Sequence, residues 1–157
     1  MSDVHERFVA VQQDLNAQLL ERESSIQNAL LALLSGEHMV LLGPPGTAKS
    51  MLVRALTARI DGAQYFEKLL TPFTVPEELY GPVDLLGYAD RGEYRRISTG
   101  SLATAHLAFL DEIWKANSAI LNTLLTISNE RLVHEVGMAP QRVPLLSLFA
   151  ASNETPQ

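Results

Sequence analysis

Residues 39–52 read MVLLGPPGTAKSML: an apolar run, a loop of glycine and proline, and a Lys-Ser pair at the start of an apolar helix. Successive backbone N–H groups of this glycine loop (residues 43–48) can point into one concavity. The start of the following helix adds partial positive charge, so the order of residues predicts a site for nucleotide phosphates. Lys49 is expected to reach the β and γ phosphates, and the Ser50 hydroxyl to bind a magnesium ion that keeps most of its waters. The residues predicted to line this site are Gly43, Pro44, Pro45, Gly46, Thr47, Ala48, Lys49, Ser50 and Met51.

One position of the glycine loop departs from the pattern G-x-x-x-x-G-K-S/T. Ala48 stands where the second glycine is expected. Because only glycine visits positive φ freely, we expect Ala48 to have a negative φ or little strain. A plain Gly-Pro turn between a strand and a helix is the alternative, and it leaves the Lys-Ser pair at the helix start unexplained.

A second apolar run, residues 106–112 (HLAFLDE), ends in adjacent acids. A buried parallel strand delivers carboxylates at its C-terminal edge, where ligands bind in doubly wound sheets. We expect Asp111 to hold magnesium through water and Glu112 to polarise the water that attacks the γ phosphate. A solvated helix cap is the alternative, but the glycine loop lies about 60 residues upstream with one intervening strand, a spacing suited to βαβ units.

A third apolar run, residues 145–151, is followed by Ser152 and Asn153. The side chain of Asn153 is expected to lie beside the γ phosphate and the attacking water. Ser-Asn after a strand is also ordinary turn chemistry, so this assignment depends on the other two segments.

With these segments the chain resembles the AAA+ ATPases and, within them, the MoxR family. The similar blocks, within residues 36–154, are GPPGTAKS, LAFLDEIWKAN, AILNTLLTISNER and FAASNE. The resemblance implies a Walker A motif at residues 43–50, a Walker B motif at residues 109–112 and a sensor 1 residue at Asn153, and it makes Ala48 a family feature. The catalytic residues would be Lys49, Glu112 and Asn153. The cofactors would be ATP or ADP with Mg2+, and the parent protein would hydrolyse ATP in a hexameric ring to remodel or assemble a protein partner, as a chaperone does.

Two other functions remain open. The chain could be an interaction module that binds ATP or ADP without turnover. A P-loop kinase is less favoured, since adjacent Asp111 and Glu112 suit water activation. AAA+ proteins usually continue past sensor 1 with an arginine finger, a fifth strand and a helical lid, and Arg142 lies on the wrong side of the sensor strand to be that finger. We therefore expect a C-terminally incomplete core with weak hydrolysis, and an exposed first strand in the family's strand order 5-1-4-3-2.

Composition limits the other classes of protein. At 157 residues and 46% hydrophobic, the chain is expected to form one domain, with N-terminal helices in residues 1–35 and a P-loop core in residues 36–157. The net charge of -6 argues against sequence-independent nucleic-acid binding. No apolar run reaches the ~18 residues that span a membrane, and the polar start is no signal peptide. The absence of cysteine fits a cytoplasmic chain and excludes thiolate chemistry, while the four histidines lack ligand spacing.

The residues of the predicted nucleotide site must be positioned by an α/β fold. The expected arrangement is a three-layer αβα P-loop fold with a parallel sheet, inserted β-hairpins and no lid. Apolar periodicity predicts helices over residues 3–20, 23–34 (ended by Gly36) and 49–60, and strands over 38–42 and 64–69. Residues 86–89 and 93–97 are expected to form a hairpin that turns at residues 90–92, or else an ordered loop. The basic cluster of Arg91, Arg95 and Arg96 would then lie on a solvated hairpin. A second hairpin is expected over residues 131–144, turning near residues 137–140.

Between the acidic strand end and the second hairpin, the sequence predicts a helix capped by Asn117 or Ser118. Trp114 is expected to pack against the protein, although the resemblance places it near a subunit interface. Glu130 and Arg131 would form a solvated helix end or face a neighbouring subunit's nucleotide. The core face of this helix is predicted to consist of Ile120, Leu121, Leu124, Leu125 and Ile127.

Overall fold

The computed structural model of the protein describes residues 2–92, 95–134 and 139–154. The helices are α1 (Ser2–Gln18), α2 (Glu23–Ser35), α3 (Lys49–Thr57), α4 (Pro76–Tyr80), α5 (Leu85–Arg91) and α6 (Ser118–Glu130). The strands are β1 (Met39–Leu42), β2 (Tyr65–Leu69), β3 (Leu107–Asp111), β4 (Leu132–Val133), β5 (Gln141–Arg142) and β6 (Ser147–Ser152). Two short 3-10 helices occupy Leu102–Thr104 and Ile113–Lys115.

The main sheet has four parallel strands in the order β1-β6-β3-β2. Along β3, alternate side chains enter two different cores: Leu107 and Phe109 pack with α1, α2 and α3, whereas Ala108 and Leu110 pack with α4 and α6. A strand whose two faces are both buried reads as a continuous apolar run, which is the pattern seen in the sequence. The predicted three-layer αβα fold with a parallel sheet is confirmed.

The register of the sheet brings four strand ends to one edge. Leu42 at the end of β1 lies opposite Ser152 of β6, and Leu69 of β2 lies opposite Asp111 of β3. Because β6 lies between β1 and β3, whatever follows β6 lies between the glycine loop and the acids that end β3. Asn153 is the residue in that place.

Most predicted helices and strands occur, with small shifts at their ends. Gly36 has a φ of +70° and its N–H bonds the last turn of α2, as expected for a glycine after a helix. Asn117 caps α6, since its side-chain oxygen accepts from the Ile120 N–H at 3.0 Å. α3 ends at Thr57, three residues before the predicted end. No described helix combines the length and apolarity needed to cross a membrane.

The first predicted hairpin is wrong. Residues 86–89, expected as an extended arm, belong to helix α5. The Asp84 side chain accepts from the Gly87 N–H at 2.9 Å, and Gly92 ends the helix at a φ of +68°. The residues expected to form the turn are thus the last turn of a capped helix, and Arg96 instead pairs with Val83 in an antiparallel bridge. The second predicted arm includes Glu93 and Tyr94, which lie outside the described residues.

The second predicted hairpin is confirmed in its paired arms. Leu132 pairs with Arg142, and Val133 with Gln141, in antiparallel register. The turn expected near residues 137–140 lies partly outside the described residues, which omit residues 135–138.

Three expectations about packing are corrected. Ile120, Leu124 and Ile127 are buried on α6 and Leu121 is partly buried, but Leu125 is 57% exposed because it lies off the stripe that they form. Trp114 is 42% exposed instead of packed.

At the end of α6, Glu130 is exposed and Arg131 is partly exposed. The Arg131 side chain also makes a contact that the sequence does not predict. Its guanidinium donates to the Gly36 carbonyl at 2.7 Å and so ties the helix end to the turn before β1.

Candidate functional site

The glycine loop runs from the end of β1 to the start of α3. The Gly43 N–H donates to the Ser152 carbonyl at 3.2 Å, and the Thr47 hydroxyl donates to the Pro44 carbonyl at 2.9 Å. Gly46 and Ala48 have φ values of +79° and +59°. The expectation of a negative φ at Ala48 is therefore wrong. The backbone at position 48 thus has the conformation that favours glycine, although the residue is alanine. A left-handed conformation costs an L-residue about 1–2 kcal/mol.

The Lys49 ammonium lies inside the curve of the glycine loop. It donates to the carbonyls of Gly43 at 2.6 Å and Pro44 at 3.2 Å, and to the side-chain oxygen of Asn153 at 2.9 Å. All three acceptors are neutral dipoles, and among the described residues no carboxylate lies within ion-pair distance of Lys49. In the part of the chain that the structure describes, Lys49 therefore has no ion-pair partner, which suits an anionic ligand.

Asn153 joins Lys49 to the acids at the end of β3. Its side-chain nitrogen donates to the Glu112 carboxylate. The second oxygen of that carboxylate lies 3.3 Å from the Lys115 ammonium. Glu112 is buried and has a φ of +55°, and its N–H donates to the Asp111 side chain at 3.0 Å. The side chains of Lys49, Asn153, Glu112 and Lys115 are therefore joined by successive polar contacts.

An open cleft of about 380 Å³ runs along the loop on the side of β3. It is lined by Phe109 and by the predicted residues Pro45, Gly46, Thr47, Ala48, Lys49, Ser50, Met51, Asp111 and Asn153. The carbonyl oxygens of Gly43 and Pro44 accept from Lys49. Glu112 is connected to the cleft by its hydrogen bond with Asn153. The structure thus brings every residue of the predicted site together at one edge of the sheet.

The cleft also fits a magnesium ion held mainly through water. Ser50 and Asp111, two oxygen donors, line the same wall. No group of three His, Asp or Glu side chains that could hold a metal occurs among the described residues. Magnesium bound to a nucleotide needs only one or two protein ligands, so such a cage is not required.

Phe109, the first residue of the predicted Walker B motif, forms part of the cleft wall. Sequence reasoning missed two residues of this region. Lys115 pairs with Glu112 one helical turn later, a spacing that is visible in the sequence. Arg22 was missed because it precedes its partner Thr47 by 25 residues and matches no motif. Its Nε donates to the Thr47 carbonyl at 3.1 Å, on the side of the loop away from Asp111.

Residues 6–157 match the family model of the MoxR domain in the MoxR-vWA-beta-propeller ternary systems. An uncharacterized protein of Methanocaldococcus jannaschii is 48% identical over 157 residues, which are 100% of this chain and 41% of that protein. A second protein of the same organism is 50% identical over 147 residues, or 94% and 39% of the two chains. The chain therefore spans about two fifths of the length of these relatives.

More distant relatives carry family names. The chaperone MoxR1 of Mycobacterium tuberculosis is 29% identical over 131 residues, which are 83% of this chain and 33% of that protein. A crystal structure from Cytophaga hutchinsonii, described as a candidate ATPase, superimposes with a TM-score of 0.71 over 99% of this chain and 48% of its own. Its 19% identity shows the fold alone. Because the family model covers residues 6–157, this chain belongs to the MoxR family of AAA+ ATPases.

Proposed function

We propose that this chain is the nucleotide-binding core of an ATPase that binds ATP and ADP with magnesium and hydrolyses ATP to ADP and phosphate. The observation that supports it is the chain of contacts from Lys49 through Asn153 to Glu112. It joins a cation, an amide and a carboxylate at the carboxyl ends of β1, β6 and β3. In an open parallel sheet this edge is where ligands bind.

Each residue has a role in this proposal. Lys49 and the N–H groups of the glycine loop bind the β and γ phosphates, and Ser50 and Asp111 hold the magnesium. The magnesium, when bound, neutralises charge on the phosphate oxygens. The Glu112 carboxylate accepts a hydrogen bond from the attacking water and so polarises it, while Asn153 holds the Glu112 carboxylate and the water in position.

Two measurements test the proposal, namely ADP binding by calorimetry and phosphate release at high protein concentration. We expect Lys49→Ala to weaken ADP binding by at least about tenfold, since it removes the Lys49 cation. Glu112→Gln should keep ADP binding and lower phosphate release by about 10²-fold or more. Glu67→Gln, on β2 and outside the cleft, is the control and should change neither. Normal ADP affinity in Lys49→Ala would show that the loop is not the phosphate site.

The second candidate function is nucleotide binding without turnover. It is favoured by the state of Glu112, because one carboxylate oxygen accepts from Asn153 and the other pairs with Lys115. Both oxygens of Glu112 thus contact protein side chains, which suits a structural role for this carboxylate. This function is supported over the ATPase if the chain binds ADP and if Glu112→Gln leaves the rate of phosphate release unchanged.

For the parent protein we propose action on a protein partner by a homo-oligomeric, hexameric ring in the cytoplasm. The supporting findings are the chaperone name of the M. tuberculosis relative and the family's description as part of a MoxR-vWA-beta-propeller system. The candidate partner is a vWA or β-propeller protein of such a system. ATP-dependent co-purification of that protein with the parent, lost in Glu112→Gln, would support this assignment, whereas nucleotide-independent binding would contradict it.

We also propose that residues 1–35 and 36–157 work as one nucleotide-binding core. The support is their shared packing, since Leu15, Leu19 and Ile26 lie in one buried cluster with Leu52 and Phe109. Removal of residues 1–20 should therefore expose the apolar face of α3 and lower the melting temperature. An unchanged melting temperature would separate the two parts.

A further inference from the structure

Arg22 connects the start of α2 to the glycine loop. It is partly buried, and its Nε donates to the Thr47 carbonyl at 3.1 Å. A second donor of the same guanidinium, Nη1, bonds the Glu21 carbonyl at 3.2 Å. These two hydrogen bonds hold the guanidinium in place. Glu21, the residue before Arg22, has a φ of +59°. Arg22 lines a cavity together with Leu41, Leu42 and Thr47 on the far side of the loop from Asp111.

The contact determines the direction in which the Thr47–Ala48 peptide points. In a trans peptide the C=O and the N–H point in opposite directions. Since Arg22 holds the Thr47 oxygen on its own side, the Ala48 N–H is directed to the other side. The space that Arg22 does not line is the cleft with Ser50, Asp111 and Asn153.

The same peptide is where the glycine loop is strained. Ala48 has a φ of +59°, and a flip of the peptide before it would move that φ by roughly 180° into the negative range. The flip would relieve the alanine and turn its N–H away from the cleft. For glycine the two states are nearly equal in free energy, but for alanine the unstrained state is favoured. An alanine at this position therefore requires an external contact that holds the carbonyl.

We propose that Arg22 is a positioning residue that locks the Thr47–Ala48 peptide, so that the Ala48 N–H faces the phosphate of a bound nucleotide. The proposal rests on the proposed function, because it assigns a role within the same phosphate site. Arg22 acts here through the loop and not by touching the reacting atoms.

The test is the affinity of ADP with magnesium, measured by calorimetry for the wild type and two variants of similar length. Arg22→Met keeps much of the aliphatic stem and removes every donor, whereas Arg22→Gln keeps an N–H donor and removes the charge. We expect Arg22→Met to bind ADP about tenfold more weakly, as for the loss of a charge-assisted hydrogen bond. Arg22→Gln should recover most of that loss. Arg54→Met, an exposed arginine on α3, is the matched control and should bind ADP as the wild type does.

Combination with Ala48→Gly separates a peptide lock from other roles. With glycine at position 48 the left-handed state no longer needs support, so Arg22→Met should lose clearly less than tenfold in that background. A spectroscopic readout is the Ala48 amide in 15N-alanine spectra. Its shift on ADP binding should be smaller in Arg22→Met than in the wild type, while the other alanine signals keep their dispersion.

Each outcome has one meaning. If the wild type does not bind ADP, the proposed function fails and Arg22 has no phosphate site to support. If the wild type binds and Arg22→Met binds equally well, the lock is wrong. Arg22→Gln and Arg22→Met could also lose ADP affinity equally, with Ala48→Gly leaving that loss unchanged. This result would show that the Arg22 charge contacts the nucleotide directly, and it would overturn the lock as well.

Discussion

At the scale of single residues, the candidate site contains two non-glycine residues with left-handed backbone. Ala48 precedes Lys49 with a φ of +59°, and Glu112 follows Asp111 with a φ of +55°. Such conformations cost free energy and persist when surrounding contacts hold them. Arg22 provides such a contact at the glycine loop, and Asn153 and Lys115 provide them at Glu112. Of the four left-handed non-glycine residues in the described part of the chain, two lie next to the residues proposed to bind and hydrolyse the nucleotide, and the others are Glu21 and Arg131.

A substitution at position 48 measures this strain. Ala48→Gly should raise the free energy of unfolding by about 0.5–1 kcal/mol, since glycine accepts a positive φ and part of the gain is lost to a more flexible unfolded chain. The control is Ala10→Gly, at an exposed position in the middle of α1, which should lower it by about 1 kcal/mol. Urea unfolding gives both values. Equal destabilisation in the two variants would mean that Ala48 carries no strain.

At the scale of elements, His38 joins three of them immediately before β1. Its Nδ1 accepts from the Leu148 N–H of β6 at 2.9 Å, and its Nε2 lies 2.9 Å from the Ser128 carbonyl of α6. Nδ1 therefore carries no proton, and the Arg131 Nη1 also lies 2.6 Å from Nε2. Burial lowers the pKa of His38 below 6.5, as does the charge of Arg131, although the Ser128 carbonyl opposes them.

The pH dependence of stability follows from the sign of this shift. Because the folded pKa of His38 is below its unfolded value of 6.5, the unfolded chain binds more protons between the two values. The stabilisation is therefore complete above pH 6.5 and is lost as pH falls through the folded pKa. Urea unfolding between about pH 8 and pH 5 should show a decline that is shallower in His38→Gln.

His5→Gln, on the exposed face of α1, is the control for the His38 experiment and should decline as steeply as the wild type. Parallel pH profiles for the wild type and His38→Gln would show that His38 does not contribute.

At the scale of the whole molecule, β1 is an edge of the main sheet and carries apolar side chains. In the part of the chain that the structure describes, β1 pairs with β6 alone. Val40 and Leu42 are 50% and 56% exposed. An apolar edge strand with unpaired N–H and C=O groups favours pairing with another strand. The expectation of an exposed first strand is met in this structure, in which β1-β6-β3-β2 corresponds to the family's order 1-4-3-2.

The chain should therefore self-associate at high concentration through β1. Val40→Lys places a charge on that edge and should shift the sedimentation profile toward the monomer, because a buried lysine would oppose strand pairing. The control is Leu31→Lys, which adds the same charge at an exposed position on α2. If both variants reduce self-association, or if neither does, the β1 edge is not responsible for it.

The sequence by itself determined the elements and the contents of the site. Apolar runs predicted β1, β3 and β6, helical periodicity predicted α1, α2, α3 and α6, and the residues after the strand ends identified Lys49, Asp111, Glu112 and Asn153. These features are local, since a strand or a helix end depends on residues close in the chain. Parallel strands share one carboxyl edge, so even the meeting of these residues was predictable from the fold class.

Only the tertiary structure decided the contacts between distant segments. It placed β6 between β1 and β3, which puts Asn153 within reach of both Lys49 and Glu112. It brought Arg22 to Thr47 and gave Ala48 the conformation of a glycine. It also made α5 a helix where turn residues predicted a hairpin. Local preferences differ by about 1 kcal/mol per residue, so packing and hydrogen bonds between distant residues can override them, and the sequence pattern does not contain those contacts.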